Sequence, residues 1–175
     1  QEIGPKPYLL EFQRDLRSDG IDYPYIILME AVDKDRHTGI LSKLPFDQVK
    51  RHDNLEFKWF NEILKVKRGL LEITFKSENF QWSLFNLHLK SRYTVHEEDP
   101  EGRIQREGEA IVIRNYIKKN YLQNSNLYYL IVGDFNDTIG SKTLRRLLKS
   151  GSTKIADPVS ARDSRGETWT YYYKK

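Results

Sequence analysis

The sequence contains no cysteine. That excludes disulfides, thiolate metal sites and a cysteine nucleophile, and it leaves the compartment open. Methionine occurs once, at Met29, and the chain opens on Gln1 rather than on an initiator methionine. It stops at Lys175, after a tyrosine-rich run that reads as the middle of a strand. The chain therefore reads as processed or as a piece of a longer one, so its start gives no handle on a leader peptide. Long apolar runs are missing too: none approaches the roughly 18 residues that a membrane span needs. No internal repeat, low-complexity tract or linker divides the 175 residues, which read as one domain able to bury a sizeable core.

Charge is plentiful. Asp, Glu, Lys and Arg make up 31% of the chain and the mean hydropathy is -0.70, values of a soluble globular protein. A net charge of +4 and a pI near 9.1 mildly favour an anionic partner, such as nucleic acid or a phosphorylated headgroup.

One stretch organises the rest. Tyr128-Tyr129-Leu130-Ile131-Val132 is apolar or aromatic throughout, and Gly133-Asp134-Phe135-Asn136-Asp137 follows at once. This predicts a strand covered on both faces that ends in a polar loop. Gly133 lets the backbone leave the strand without a Cβ clash. Asp134 and Asn136, two apart, project to the same side wherever extended geometry persists. A carboxylate beside an amide suits a water, a metal ion or a phosphate oxygen, although Asp and Asn are equally at home in a plain turn.

Around this stretch the pattern predicts a short amphipathic helix over residues 8–16, strands over 25–29 and 38–45, and mostly loop over 47–62. A long strand over 63–76 is interrupted at Arg68-Gly69 and forms a hairpin with a strand over 81–89. A polar, acidic, solvated loop leads to a helix over 103–122, with Ala110, Ile113 and Ile117 on one face. A short helix over 143–148 and a β-rich run over 168–173 complete the chain. The class is mixed α/β (α+β). Arg103, Arg106 and Arg114 read as the exposed face of the long helix, with Arg106 near its start, where an anion is favoured.

Chemistry-bearing residues gather at predicted strand ends: Gln1-Glu2, Arg68-Gly69, Asn86-Leu87-His88-Leu89-Lys90-Ser91-Arg92 and Gly133-Asp134-Phe135-Asn136. Asn86, His88 and Lys90 alternate with leucines and so share one face of a strand. A histidine there serves structure, or donates to a phosphoryl oxygen, or protonates a leaving group. Arg68, Lys90 and Arg92 are candidates for a phosphate-binding cleft, against the plainer reading of solvated strand-end charges.

These pieces, with Thr38-Gly39-Ile40-Leu41-Ser42-Lys43-Leu44-Pro45 and Thr168-Trp169, stand in the order of a known group. The sequence resembles the endonuclease/exonuclease/phosphatase superfamily across essentially its whole length. These metal-dependent phosphoesterases include pancreatic-type deoxyribonucleases, apurinic endonucleases, neutral sphingomyelinases and inositol-polyphosphate phosphatases. The resemblance implies a layered sandwich of two mixed β-sheets flanked by helices, here incomplete at both termini. It implies Glu2 as ligand of Mg²⁺ (or Mn²⁺), a hard cation suited to oxygen donors and phosphate. It implies His88 as the contact to the phosphoryl oxygen or leaving group. Asp134 would orient or deprotonate the attacking water, and Asn136 would hold the phosphate or the nucleophile's site. The reaction so implied is in-line hydrolysis of a phosphoester.

Two departures accompany the resemblance. The family's metal-site asparagine, one strand before Gln-Glu, has no counterpart, and no Asp-His pair occurs among His37, His52, His88 and His96. Truncation accounts for both, and implies a chain that lacks part of its active site and leaves sheet edges open. The basic run after His88 resembles the bacterial extracellular-nuclease branch, which implies nucleic acid as substrate and an exported protein. Two alternatives stand beside it. One is a phosphoinositide or sphingomyelin phosphoesterase, docking through Trp59-Phe60; the other is a degenerate domain that only binds. A Ser42-His88-Asp134 triad lacks a Gly-x-Ser-x-Gly elbow, and Asn136-Asp137-Thr138 formally fits a glycosylation sequon inside the candidate site.

Overall fold

The computed structural model describes residues 1–123 and 127–168. Helix α1 (Lys6–Ser18) begins behind Pro5, whose ring pre-sets the first turn, and its one buried residue is Leu9. Leu9 rests on Gly39 of β2 (Thr38–Ser42), which pairs antiparallel with β1 (Tyr25–Met29). Strands β3 (Gln48–His52), β6 (Leu70–Lys76), β7 (Gln81–His88) and β8 (Tyr128–Asp134) form a mixed four-stranded sheet in the order β3-β6-β7-β8. Its β7–β8 pair is parallel, with Asn86 opposite Val132 and His88 opposite Asp134.

The parallel pair needs a crossover, and α2 (Arg103–Tyr121) supplies it. Ala110, Ile113, Ile117 and Tyr121 fall three and four apart on one stripe of α2. They pack against Leu70, Phe85 and Leu87 of the sheet and Leu144 and Leu147 of α3 (Lys142–Leu148). On the other face Met29 of β1 packs with Leu71, Ile73 and Phe75 of β6. The layers therefore run helix α1, hairpin β1–β2, four-stranded sheet, helices α2 and α3. Each fully buried Leu, Ile or Phe in them contributes roughly 1.5–3 kcal/mol of transfer free energy. Two further pairs complete the described residues: β4 (Glu56–Trp59) with β5 (Glu62–Lys65), and β9 (Lys149–Ser150) with β10 (Thr153–Lys154).

The layered mixed class expected from the sequence is the observed one, but three local expectations change. Residues 47–62 are not mostly loop, because β3 and β4 lie within them. Phe57 and Trp59 turn inward while Glu56 and Lys58 face water, a two-residue alternation too short to stand out. The expected strand over 63–76 is two strands in different sheets, separated by a turn at 66–69. Among the described residues strand β8 is covered on one face: Tyr129 and Ile131 meet the α2 layer, while Tyr128, Leu130 and Val132 are exposed. Among the described residues β8 pairs only with β7. The expected run over 168–173, including Trp169, lies outside the described residues apart from Thr168.

Candidate active site

The parallel pairing of β7 and β8 sets the site, because it brings the ends of both strands level. His88 and Asp134 are register partners, and His88 Nε2 lies 3.9 Å from Asp134 Oδ2. The N-terminal segment approaches from the other side. Gln1 Nε2 donates to Asn86 Oδ1 at 2.7 Å, and Ile3 forms a two-way backbone bridge with His37. Between these anchors Glu2 adopts a left-handed backbone (φ 55°), and its Oε1 lies 4.0 Å from His88 Nε2. Three residues spread over 133 positions of sequence thus meet at one imidazole nitrogen.

Close packing makes this meeting tight. A Cβ on Gly133 would sit 1.8 Å from the Leu87 carbonyl oxygen, and its φ of +131° is glycine territory. Glycine is therefore what lets β8 run level with β7 at the site.

His88 is 1% exposed, yet among the described residues neither ring nitrogen has a hydrogen-bond partner. Leaving buried nitrogens unpaired costs about 1–3 kcal/mol, so such a group points to a ligand or a catalytic task. Burial, followed by the Arg68 guanidinium, pushes the His88 pKa below the usual histidine range, against the opposing pull of Asp134 and Glu2. The neutral ring, which this shift favours, has one nitrogen to donate and one to accept.

The other sequence candidates stand as follows. Asn136 does not share the orientation of Asp134, because the strand ends at Asp134 and Asn136 turns to φ 50°. Its backbone N–H donates to Asp134 Oδ1 at 2.8 Å, and its side-chain Nδ2 donates to the Leu89 carbonyl at 2.9 Å. Arg68 is buried and ion-paired with Asp33, Nε to Oδ2 3.0 Å. Burial disfavours the charged Asp33, but the N–H groups of Asp35 and Arg36 and the Arg68 charge hold its pKa below the usual range. Lys90 is buried and turns back onto its own loop, donating to the carbonyls of Ser91 and Tyr93. Arg92 is half exposed beside Asp137, 3.6 Å away.

The structure also places residues that the pattern did not single out for this site. Arg36 Nε lies 3.8 Å from Glu2 Oε1. Arg106 is not on the exposed helix face: it is 2% exposed. Its guanidinium donates to the carbonyls of Lys90 (3.1 Å) and Glu101 (2.9 Å) and pairs with Asp137 (3.2 Å). The loop before α2 is not wholly solvated either. Asp99 is buried and accepts from Ile104 N (2.7 Å), Gln105 N (2.9 Å) and Trp59 Nε1 (3.1 Å), capping the helix. Charged residues at 106 and 109, on the stripe that continues as Ala110, Ile113 and Ile117, were the available signal.

Glu2 and Asp134 offer exposed carboxylates within 4.0 Å of the same His88 nitrogen. A hard cation that keeps most of its waters takes one or two carboxylates together with substrate phosphate, so this donor set fits Mg²⁺. Among the described residues, no group of three or more His, Asp and Glu side chains is arranged to hold a metal ion by itself. No helix among them is long and apolar enough to cross a membrane.

No protein-family model and no curated protein matches the sequence. Solved structures do match. Sphingomyelinase C from Streptomyces griseocarneus aligns over 85% of this chain and 54% of its own, with TM-score 0.60 and 14% identity. The human Nocturnin catalytic domain, crystallised with a bound sulfate anion, aligns over 82% of this chain and 53% of its own (TM-score 0.57, 14% identity). Truncated TDP2 from Caenorhabditis elegans covers 79% of this chain and 48% of its own (TM-score 0.50, 21% identity). The chain thus spans about half the length of these structures, and at such identities what they share with it is the fold.

Proposed function

From a chain with the fold of the endonuclease/exonuclease/phosphatase superfamily, we propose a protein that hydrolyses a phosphoester bond with a divalent cation, its substrate a nucleic-acid phosphodiester. The observation that carries this is the buried imidazole of His88, unpartnered among the described residues and faced by Glu2 and Asp134 within 4.0 Å. The carboxylates of Glu2 and Asp134 face Nε2, and no donor or acceptor among the described residues saturates either nitrogen.

In this reading Glu2 would hold the Mg²⁺ (or Mn²⁺), which when bound supplies positive charge to the non-bridging oxygens of the phosphate. Asp134 accepts the proton of the attacking water, so that the new O–P bond forms as the opposite P–O bond breaks. His88 donates its N–H to the phosphoryl oxygen on which negative charge builds. Asn136, held at the Leu89 carbonyl through Nδ2, keeps its second amide hydrogen for the phosphate. Burial first, and then the Arg68 charge, disfavour the protonated His88 ring. Arg92, half exposed beside Asp137, would meet the substrate backbone, while the Lys90 ammonium is engaged with loop carbonyls.

A net charge of +4 supports nucleic acid over a neutral lipid headgroup. The second reading, a sphingomyelin phosphoesterase, draws on the likeness to sphingomyelinase C. Incubation of the intact protein with supercoiled plasmid and with sphingomyelin vesicles, each in Mg²⁺ and in EDTA, separates the two. Mg²⁺-dependent nicking supports the nuclease, hydrolysis confined to vesicles supports the lipid reading, and inertness on both leaves a domain that binds without cleaving.

A further inference from the structure

The first turns of α2 carry a carboxylate where a hydrocarbon would be expected. Glu109 lies on the stripe of Ala110, Ile113 and Ile117 and is 0% exposed. Its two oxygens go to two different segments: Oε1 accepts from Lys67 N at 3.0 Å, and Oε2 accepts from Lys90 N at 2.7 Å. Lys67 belongs to the turn that presents Arg68; Lys90 is two residues beyond His88. We propose that Glu109 is a positioning residue of the phosphoester site, tying the backbone just after His88 to the turn that holds Arg68. The proposal rests on the phosphoesterase reading for what is positioned, and on geometry for the tie itself.

The tie reaches the site by short links. The Lys90 carbonyl accepts from Arg106, one turn earlier on α2, so α2 grips residue 90 at both its N–H and its C=O. The neighbouring Leu89 peptide donates its N–H to the Asp134 carbonyl at 2.9 Å and accepts the Asn136 amide at 2.9 Å. On the other side, the Lys67 carbonyl accepts from Asp33 N at 2.9 Å, and Asp33 pairs with Arg68. Residues 89 and 90 are thus the point at which His88, Asp134, Asn136 and Arg68 are related to one another.

Only a carboxylate meets both demands. Two N–H donors converge from the turn at 66–69 and the segment after His88, which a 3.5 Å bond from Arg68 Nη1 to the Leu89 carbonyl also joins, and both need acceptors around a fully buried side chain. A glutamine offers one acceptor oxygen and turns an NH₂ toward the other N–H; a leucine leaves both unpaired.

The test uses Glu109→Gln and Glu109→Leu in the intact protein, with two readouts. The first is kinetic: kcat falls roughly 10–100-fold in Glu109→Gln with KM changed less than about threefold, and falls further in Glu109→Leu. The second needs no turnover. Amide hydrogen exchange at Lys67, Leu89 and Lys90 speeds up at least about tenfold in Glu109→Gln, while Ile73 and Phe85 in the sheet keep their protection. Unchanged exchange at those three amides, or an equal rise at Ile73 and Phe85, overturns the positioning role. So does a Glu109→Gln variant of normal kcat. Should the wild-type protein hydrolyse nothing, the functional reading falls and the exchange pattern alone decides whether Glu109 holds the His88 segment.

Discussion

Glu72 offers the sharpest test of how the sheet is held beneath α2. It sits mid-strand in β6, 1% exposed, and four donors surround its carboxylate. Lys50 Nζ and His52 Nε2 lie at 2.9 Å on β3, while the Tyr116 and Tyr121 hydroxyls of α2 donate at 2.6 and 2.7 Å. Burial disfavours the charge, but the bonds from His52, Tyr116, Lys50 and Tyr121 win, and the pKa falls from 4.5 to about 2. At roughly 1.4 kcal/mol per pKa unit this links about 3 kcal/mol of stability to the ionised form. Because the folded-state pKa is the depressed one, that stability is fully present above about pH 5 and drains away as pH falls toward 2. Glu72→Gln removes the charge and leaves donors facing an amide. The variant is expected to unfold at pH 7 with about 3 kcal/mol less stability, a shift of about 1.5 M in the urea midpoint for a slope near 2 kcal/mol/M. By pH 3 its deficit shrinks to roughly half, since wild type is by then losing the same contribution. The assay is urea unfolding of both proteins by far-ultraviolet circular dichroism at pH 7, 5 and 3. A midpoint unmoved at pH 7, or a deficit that does not narrow on acidification, refutes the charge network as the source of stability.

Gly133→Ala places a methyl group against the Leu87 carbonyl at a backbone angle that only glycine adopts freely. It should cost about 3 kcal/mol and lower kcat, because relief requires moving β8 and Asp134; thermal unfolding with steady-state kinetics checks both. Asp99→Ala strips the α2 cap and leaves the Trp59 indole N–H unpaired. A loss of about 2 kcal/mol in urea unfolding is expected, together with a change in Trp59 fluorescence.

Much of this molecule is legible in one sequence. The apolar stripe of α2 and the leucine alternation around His88 each carry the period of their element, and the apolar run ending at Gly133 is bounded as a strand. Other parts are set by tertiary context. The strand β4 has two inward aromatics, too few to assert a period against its charged neighbours. The apolar residues of β8 do not reveal which face a partner layer covers, and Tyr128, Leu130 and Val132 turn out exposed. Of the site, the motifs name His88, Asp134 and Glu2, but their meeting depends on the β7–β8 register and the Ile3–His37 bridge. Asn136 departs from the simple alternation because a turn replaces the strand two residues earlier than that pattern assumes. Arg106 and Glu109 read as ordinary helix charges until their positions are set against the buried stripe, where their presence is a conflict that the packing resolves.

The proposal that Glu2 and Asp134 bring a cation beside His88 is open to a measurement that needs no substrate. Mn²⁺ titrated into the intact protein with isotope-labelled histidines should broaden the His88 ring resonances first. The signals of His52, bound to Glu72 on the sheet, should sharpen the contrast by persisting, and Glu2→Gln should restore His88. Resonances of His88 that survive saturating Mn²⁺, or that fade no faster than those of His52, would contradict the site described.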